Sequence, residues 1–259
     1  MSGPSFPELH FYDGARHEKW RIPVLHNDEA IIACNKPSGL PVIPERWHPE
    51  WPCLRSIAIE RLNMPIFVVH RIDAGTSGLL LFAKTASAHR ELCRQFVRHL
   101  VEKTYLALVK GEVIEEALTI QRPIAPNPRR PGVMMMARHG KSAVTAIRVV
   151  ERFLGFTLIE AQPQTGRQHQ IRAHLQAIGH PLLVDPIYSQ TGAFFLSSIK
   201  ADFHLKKEKT EQPLIRRLTL HASALRFYHP ERKNLITMTA PEAKDFQATI
   251  RNLRKYAAR

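Results

Sequence analysis

An apolar run from Leu79 to Ala83 follows a short polar segment, His70 to Gly78, and this junction constrains the fold more than any other stretch of the chain. An unbroken apolar run without alternation is typical of a strand that is covered on both faces. The polar segment opens with His-Arg-Ile-Asp and closes with Thr-Ser-Gly. Reactive side chains are commonly carried by loops at the edge of a rigid core. The junction therefore predicts a functional loop that leads into a buried strand.

Short strands and amphipathic helices follow one another irregularly along the chain. Further strands are predicted near residues 31–34, 67–69, 104–113, 143–149, 156–161 and 218–227, and helices near 87–100, 171–178 and 241–256. This order lacks a regular strand–helix–strand rhythm, so the sequence predicts an α+β fold with a largely antiparallel central sheet, flanked by helices and loops. Residues 1–24 are predicted to be an N-terminal extension without a core of its own, and residues 25–259 to form one domain.

The balance of charges points to a polyanionic partner. The chain has 37 Lys and Arg against 23 Asp and Glu, a net charge of +14. Basic proteins bind nucleic acid by neutralising phosphates and releasing counterions. No apolar run approaches the roughly 18 residues of a membrane span, and the N-terminus has no signal-like apolar segment. The sequence therefore predicts a cytoplasmic protein that binds nucleic acid, with no membrane partner. Three widely spaced cysteines predict ordinary reduced thiols.

Two basic segments stand out within this charge. Arg90, Arg94 and Arg98 repeat every fourth residue along a predicted helix. A Pro-rich stretch over 121–143 adds four arginines and one lysine and contains no acidic residue. Either segment can be read as phosphate-contacting or as an ordinary solvated surface, and the pattern alone leaves both readings open.

Several familiar kinds of site are not supported. His169 and His174 lie five apart, whereas a zinc pair on one helix face needs a spacing of three or four, so no metal site is expected. No glycine-rich nucleotide motif occurs, which argues against a nucleotide cofactor. Ser77 with His70 nearby leaves a serine hydrolase as a weak alternative.

Asp73 is the strongest candidate for chemistry. It lies between a short strand and a strongly apolar strand, where burial of an unpaired carboxylate would cost free energy. Arg71 or Arg167, which precedes a predicted helix, could hold it ionised. A salt bridge without any catalytic role is the alternative reading of the same pattern.

Five segments, taken in order, resemble the RluA family of RNA pseudouridine synthases, which modify uridines in ribosomal and transfer RNA. They are NKPSGLPV from Asn35, HRIDAGTSGLLLFAK from His70, KTYLALVKG from Lys103, TGRQHQIRAHLQAIGHPLLVDPIY from Thr165 and LTLHASAL from Leu218. The departures from the family pattern are modest, with Ile72, Gln168 and Val184 replacing Leu, Thr and Gly.

The resemblance implies roles for individual residues and needs neither a cofactor nor a metal. Asp73 falls on the catalytic aspartate, Tyr105 on the tyrosine that stacks on the base, and Arg167 on the basic partner of the aspartate. Arg71 falls on the arginine that fills the space of the flipped base, and Leu220 on an apolar residue of the uracil pocket. His70, beside Arg71, is placed with the substrate-binding residues.

The function implied is isomerisation of uridine to pseudouridine in an rRNA or tRNA stem-loop by a monomeric enzyme. Asp73 would act either as a nucleophile on the ribose or as a base that removes the 2′ proton. A non-catalytic RNA-binding or ribosome-assembly protein on the same scaffold is the main rival. A metal-dependent nuclease is disfavoured, because Asp73 has no acidic residue within several positions.

Overall fold

The computed structural model describes residues 8–14, 17–205 and 209–259. The chain divides into two compact units, unit 1 with Met1–Lys103 and His221–Pro241, and unit 2 with Thr104–Leu220 and Glu242–Arg259. The predicted extension over 1–24, of which residues 8–14 and 17–24 are described, and the predicted single domain over 25–259 stay predictions.

The described residues form fourteen strands and four α-helices. In chain order these are β1 (Leu9–Asp13), β2 (Glu18–Ile22), β3 (Val24–Asn27), β4 (Ile31–Lys36), α1 (Leu54–Leu62), β5 (Phe67–Val68), β6 (Ser77–Ala83), α2 (Ala86–Val97), β7 (Glu102–Lys110), β8 (Ala117–Gln121), β9 (Ile124–Pro126), β10 (Met134–Met136), β11 (Val144–Phe153), β12 (Phe156–Pro163), α3 (Gln170–Ala177), β13 (Leu220–Tyr228), β14 (Leu235–Thr239) and α4 (Lys244–Tyr256). The fold is α+β, as predicted.

The sheet of unit 1 is built around β6. Strand β4 pairs antiparallel with β6 along its length, and β3 pairs with β4. The start of β6 pairs in parallel with β13, and its end pairs antiparallel with β5. Strand β14 extends this sheet from β13. The pairing is largely antiparallel, with β6 and β13 as the exception.

Strand β6 is covered on both faces, as its apolar run predicts. Leu80 and Phe82 lie in one hydrophobic cluster with residues of α1. Leu79 and Leu81 lie in another, with Leu92 of α2. All seven residues of β6 are buried. The strand is therefore a rigid base for the loop that precedes it.

The hairpin of β1 and β2 shows how the described part of the N-terminal segment is held. Leu9 and Ile22 pair across the hairpin and are buried in the cluster that contains Leu80. A two-stranded hairpin alone is marginally stable in water. Packing of this hairpin against the rest of unit 1 therefore holds it in place.

Helix α2 begins and ends differently from the prediction. The sequence predicts its start near residue 87, but the helix begins at Ala86 with Thr85 as N-cap, and the Thr85 hydroxyl accepts the N–H of Ala88 at 3.1 Å. The helix ends at Val97, so Leu100 is not on its apolar face and is 49% exposed. A left-handed His99 follows the helix and turns the chain towards β7.

Unit 2 contains an antiparallel sheet in the order β7, β12, β11, β8. Alternation along β12 sends Ile159 into a cluster with Ile171 of α3, and Leu158 into a cluster with Phe246 of α4. The strands predicted near 143–149 and 156–161 are confirmed as β11 and β12, which form a hairpin with Gly155 in its turn at a φ of +77°. The two helices thus cover opposite faces of the sheet.

Within the described residues, no helix is long and apolar enough to cross a membrane.

Candidate active site

The loop before β6 folds as a tight turn whose first residue is Asp73. The carbonyl of Asp73 accepts the N–H of Thr76 at 3.0 Å, which closes the turn over the next two residues. Asp73 itself is half-buried, and Thr76 is buried. The turn therefore presents the carboxylate from a backbone that is fixed on its C-terminal side.

The turn is braced by the segment that follows β4. Lys36 is fully buried, and its ammonium donates to the carbonyls of Ala74 at 2.8 Å, Pro37 at 2.8 Å and Leu40 at 2.7 Å. The Gly39 N–H donates to the same Ala74 carbonyl at 2.8 Å. Hydrogen bonds to a charged donor are stronger than neutral ones, so the ammonium fixes the position of the turn.

His70 lies at the start of this loop, and two contacts hold its ring. Its Nε2 accepts the N–H of Leu81 at 3.0 Å, and its ring stacks on Phe96 with 4.7 Å between the centroids. Burial and, to a smaller extent, the charge of Lys103 lower the pKa of His70 to about 3. The imidazole is therefore neutral, with its proton on Nδ1. Burial also lowers the pKa of Lys103 to about 8.

Arg71 has a different environment. It is exposed, and it forms no hydrogen bond or ion pair within residues 8–14, 17–205 and 209–259. The loop thus combines a fixed imidazole, a half-buried carboxylate and an exposed guanidinium within four positions. His70, Arg71 and Asp73, all predicted as site residues, lie in unit 1.

Ser77 and His221 form a buried pair of their own. Ser77 Oγ lies 2.9 Å from Nδ1 of His221, whose Nε2 lies 3.1 Å from the carbonyl of Ala240. Nε2 must donate to that carbonyl, so Nδ1 accepts the hydroxyl proton of Ser77. The suggested pairing of Ser77 with His70 was wrong, since His70 bonds Leu81 instead. A carbonyl stands where a hydrolase needs an acid, which removes the geometric support for that reading.

Tyr105 and Leu220 belong to unit 2 and share a hydrophobic cluster. Tyr105 lies on β7 opposite Ala161 of β12 and is half-buried against this cluster. Leu220, at the first position of β13, is only 3% exposed within it. An aromatic ring beside an apolar cluster is a suitable surface for a flat base.

Arg167 lies in the short loop before α3. Its backbone N–H donates to Oε1 of Gln170 at 3.0 Å, and its Nε donates to the carbonyl of Ser142 at 2.9 Å. Gln170 also donates to the carbonyl of Val144 and the hydroxyl of Thr145. Gln170 therefore ties this loop to the first turn of α3 and to β11.

The three histidines around α3 each have separate partners. His169 bonds the hydroxyl of Tyr188, His174 bonds Thr145, and His180 bonds the carbonyl of Lys110. No cluster of His, Cys, Asp and Glu suitable for a metal ion occurs among the described residues.

Comparison with known proteins identifies the family. A model of the RNA pseudouridylate synthase family matches residues 30–177. An RNA pseudouridine synthase of Bacillus subtilis strain 168, YlyB, is 35% identical over 92% of this chain and 75% of its own. The dual-specificity RNA pseudouridine synthase RluA of Vibrio vulnificus strain CMCP6 is 36% identical over 84% of this chain and 82% of its own.

The chain belongs to the RNA pseudouridine synthase family. The resemblance noted in its sequence is thereby confirmed, as is its assignment to the isomerases. The predicted roles of individual residues are not decided by membership and stay predictions.

Solved structures support the fold of this RNA pseudouridine synthase. Human RNA pseudouridylate synthase domain containing 1 superposes with a TM-score of 0.65 at 24% identity, over 85% of this chain and 83% of its own. Human RNA pseudouridylate synthase domain containing 4 also gives 0.65, at 23% identity, over 89% and 92%. The predicted pseudouridine synthase fold is confirmed.

Two charged residues of this synthase escaped the sequence analysis. Arg172, on α3, is buried and donates from Nε and Nη2 to the carboxylate of Asp185, at 2.8 and 2.9 Å. Lys36 is the other, with its buried ammonium behind the Asp73 turn. Arg172 stands between Ile171 and Ala173, and Lys36 comes two residues after the apolar run that ends at Cys34. Neither position differs by sequence from an ordinary exposed basic residue, so only the structure reveals their burial.

Proposed function

We propose that this RNA pseudouridine synthase converts specific uridines of structured ribosomal or transfer RNA to pseudouridine, with Asp73 as the catalytic residue. Relatives with ribosomal names support the first target class, among them ribosomal large subunit pseudouridine synthase D of Nitrosomonas europaea, 34% identical over 92% of this chain. The dual-specificity name of the Vibrio relative supports including a second class of target RNA.

The reaction is an isomerisation in which every atom of the base is kept. The bond from N1 of uracil to C1′ breaks, a bond from C5 to C1′ forms, C5 loses its proton, and N1 gains one. The uridine must first leave its stack, which costs a few kcal/mol and least in loops and bulges. Phosphate contacts by a protein of net charge +14 offset part of this cost.

The observation that carries the proposal is the braced turn under Asp73. A catalytic group must be held in a productive geometry before substrate arrives. The Lys36 ammonium and the Thr76 N–H fix the backbone on which the Asp73 carboxylate stands. Asp73 would act on the ribose, either as nucleophile or as the base that takes the 2′ proton.

Other residues would position the base. Tyr105 would stack on the uracil and assist removal of the C5 proton, beside the apolar cluster that includes Leu220. Arg71, exposed at the loop, would occupy the space left by the flipped base. His70 would contact substrate through the same loop that its ring anchors.

Arg167 is proposed as the cation that keeps Asp73 ionised. The Nε of Arg167 donates to the carbonyl of Ser142, which holds the planar guanidinium at the loop before α3.

An alanine variant tests the role of Arg167. If Arg167 supports Asp73, Arg167→Ala lowers both kcat and the melting temperature, because a carboxylate loses its partner. Unchanged melting of Arg167→Ala with intact turnover would contradict this role. Arg172→Ala is the comparison for lost stability, since it leaves Asp185 buried without its guanidinium partner.

Tritium release tests the role of Asp73 directly. RNA from cells that lack the gene is labelled at C5 of uridine, and release of tritium is followed with wild type, Asp73→Asn and the exposed control Asp202→Asn. We expect Asp73→Asn to lose activity by about a hundredfold or more, with RNA binding and melting close to wild type. Wild-type release by Asp73→Asn would refute the assignment.

The same assay addresses the rival function. A non-catalytic RNA-binding or assembly protein would bind the labelled RNA and release no tritium even as wild type. Activity on RNA of the ribosome or on tRNA implies a cytoplasmic enzyme, and we propose that it acts as a monomer. Light scattering after size exclusion checks the oligomeric state.

A further inference from the structure

The Pro-rich and Arg-rich stretch forms a compact projection, which we call the basic arm and define as residues 122–141. Within it, β9 pairs antiparallel with β10. The arm contains four arginines and one lysine, and it has no aspartate or glutamate. A surface segment with this composition has a strong positive potential of its own.

The basic arm has a fixed shape. The backbone of Ile124 exchanges hydrogen bonds with Lys141, at 2.9 and 2.8 Å. Gly140 packs so closely that a Cβ there would lie 2.6 Å from the carbonyl atoms of Ile124. The side chains of Ile124 and Val133 are buried in a cluster with Ala173 of α3.

A tyrosine clamps the basic arm to the loop before α3. The hydroxyl of Tyr188 accepts the N–H of Met134 at 2.9 Å and donates to its carbonyl at 3.1 Å. The same oxygen lies 3.1 Å from Nδ1 of His169, two residues after Arg167. Arg167 in turn bonds Ser142, the residue that follows the arm. The arm and the Arg167 loop therefore move as one body.

The basic side chains of the arm lie at the surface, where Arg130 also donates to the carbonyl of Ile187 at 3.1 Å. The five basic side chains are all exposed, and none forms an ion pair among the described residues: Arg122, Arg129, Arg130, Arg138 and Lys141. Elsewhere in the described chain, exposed arginines such as Arg148, Arg226 and Arg254 are paired with glutamates.

We propose that the basic arm binds the phosphate backbone of the structured RNA substrate and holds it beside the Arg167 loop. This inference rests on the proposed function, which supplies RNA as the polyanion. A rigid arm loses little conformational entropy when it binds, so its phosphate contacts contribute to affinity with small offsetting cost. Phosphate contacts do not depend on the base sequence of the RNA. The arm therefore positions the RNA, and the active site selects the uridine.

The test removes three positive charges from the basic arm and compares the effect with that of removing three positive charges elsewhere in unit 2. One variant carries Arg129→Gln, Arg138→Gln and Lys141→Gln. The control carries Arg216→Gln, Lys244→Gln and Arg251→Gln, which are also exposed and without an ion pair in the described part of unit 2. Both lower the net charge equally. Binding of unfractionated, fluorescently labelled tRNA is measured by anisotropy over a range of salt concentrations.

We expect the arm variant to bind tRNA about tenfold or more weakly, with a slope of log K against log salt that is smaller by about two. The control should stay close to wild type in both quantities. Equal losses of tRNA affinity in the two variants would show that the overall positive charge attracts RNA without a specific contact by the arm. Wild-type affinity of the arm variant would refute the contact.

Two further measurements separate the possible causes. Thermal melting of the arm variant should match wild type, because the three side chains are exposed. A lowered melting point would mean that misfolding causes the lost binding. The tRNA affinity of single substitutions that melt normally would then show whether the arm binds RNA. Loss of binding to phosphatidylserine vesicles with tRNA binding intact would contradict the proposal. If wild type forms no pseudouridine, the proposed function fails, while the tRNA measurements still judge the arm.

Discussion

Three backbone carbonyls converge on the ammonium of Lys36, and one of them belongs to the turn that carries Asp73. Lys36→Met keeps the length of the side chain but leaves these carbonyls without their charged donor. We expect the free energy of unfolding to fall by about 3 kcal/mol, because buried carbonyls lose their donor. Turnover should fall as well, because the turn loses its brace. Urea unfolding measures this change. The exposed control Lys244→Met should be nearly neutral, and a loss in Lys36→Met no larger than in the control would contradict the bracing role.

The imidazole of His70 gives a prediction about pH. Its pKa is about 3 in the folded protein, below the ordinary value of about 6.5. The unfolded chain therefore takes up this proton first as the pH falls, so the contribution of neutral His70 is complete above pH 6.5 and decreases from there towards pH 3. By pH 5 this site alone should cost roughly 1–2 kcal/mol of stability.

Substitution isolates that contribution of His70. Gln can accept the Leu81 N–H but does not titrate, so His70→Gln should lose less stability than wild type between pH 7 and pH 5. His174, whose pKa is also lowered by burial, continues to contribute in both proteins. His139→Gln, at an exposed position, should retain the wild-type slope. If the stability of His70→Gln depends on pH as strongly as that of wild type, the imidazole of His70 takes up its proton in the folded protein as readily as in the unfolded chain.

The sequence singles out candidate residues such as Asp73 but not the partners that hold the segments around them. Asp73 was recognisable because a carboxylate beside an apolar run is unusual. The partner of Ser77, His221, lies 144 positions away in the chain, and the burial of Lys36 depends on a turn 38 positions away. Such contacts are created by strand pairing, which a local pattern does not contain.

At the scale of elements, Gly78 allows β6 and β13 to run side by side. Its φ is +110°, and a Cβ would lie 2.2 Å from the carbonyl oxygen of Ala222. Gly78→Ala combines a strained backbone with overpacking, so we expect a loss of about 3 kcal/mol or more. Gly192→Ala is the control, since nothing lies within 4 Å of a Cβ there. Equal melting temperatures of the two variants would contradict the close approach.

The elements that the sequence predicted well are those with a strong local pattern. The apolar run of β6 predicted two covered faces, and clusters on both faces confirm it. The predicted end of α3 near residue 178 lies close to its observed end at Ala177, and a left-handed Gly179 follows. The start of α2 was placed one residue late, because Thr85 and Ser87 can both cap a helix and only geometry chooses between them. The short strands β9 and β10 were not predicted, since proline hides their pairing.

At the scale of the whole molecule, the chain has a net charge of +14, and the basic arm contributes five positive charges and no acidic residue to it. Some exposed arginines elsewhere are paired with glutamates, while the five basic side chains of the arm form no ion pair among the described residues. Affinity for RNA should therefore depend strongly on salt. We expect the wild-type affinity for tRNA to fall by about tenfold or more between 50 and 200 mM salt. A salt-independent affinity would show that phosphates contribute little.

Asp73 is the residue with which we propose that this chain makes pseudouridine. Pseudouridine mapping of total RNA by carbodiimide labelling and primer extension, in cells that lack the gene, tests this proposal. We expect at least one lost site in ribosomal or transfer RNA, restored by wild type and not by Asp73→Ala. Rescue by Asp73→Ala would contradict the catalytic role, and the absence of any lost site would favour a non-catalytic RNA-binding function.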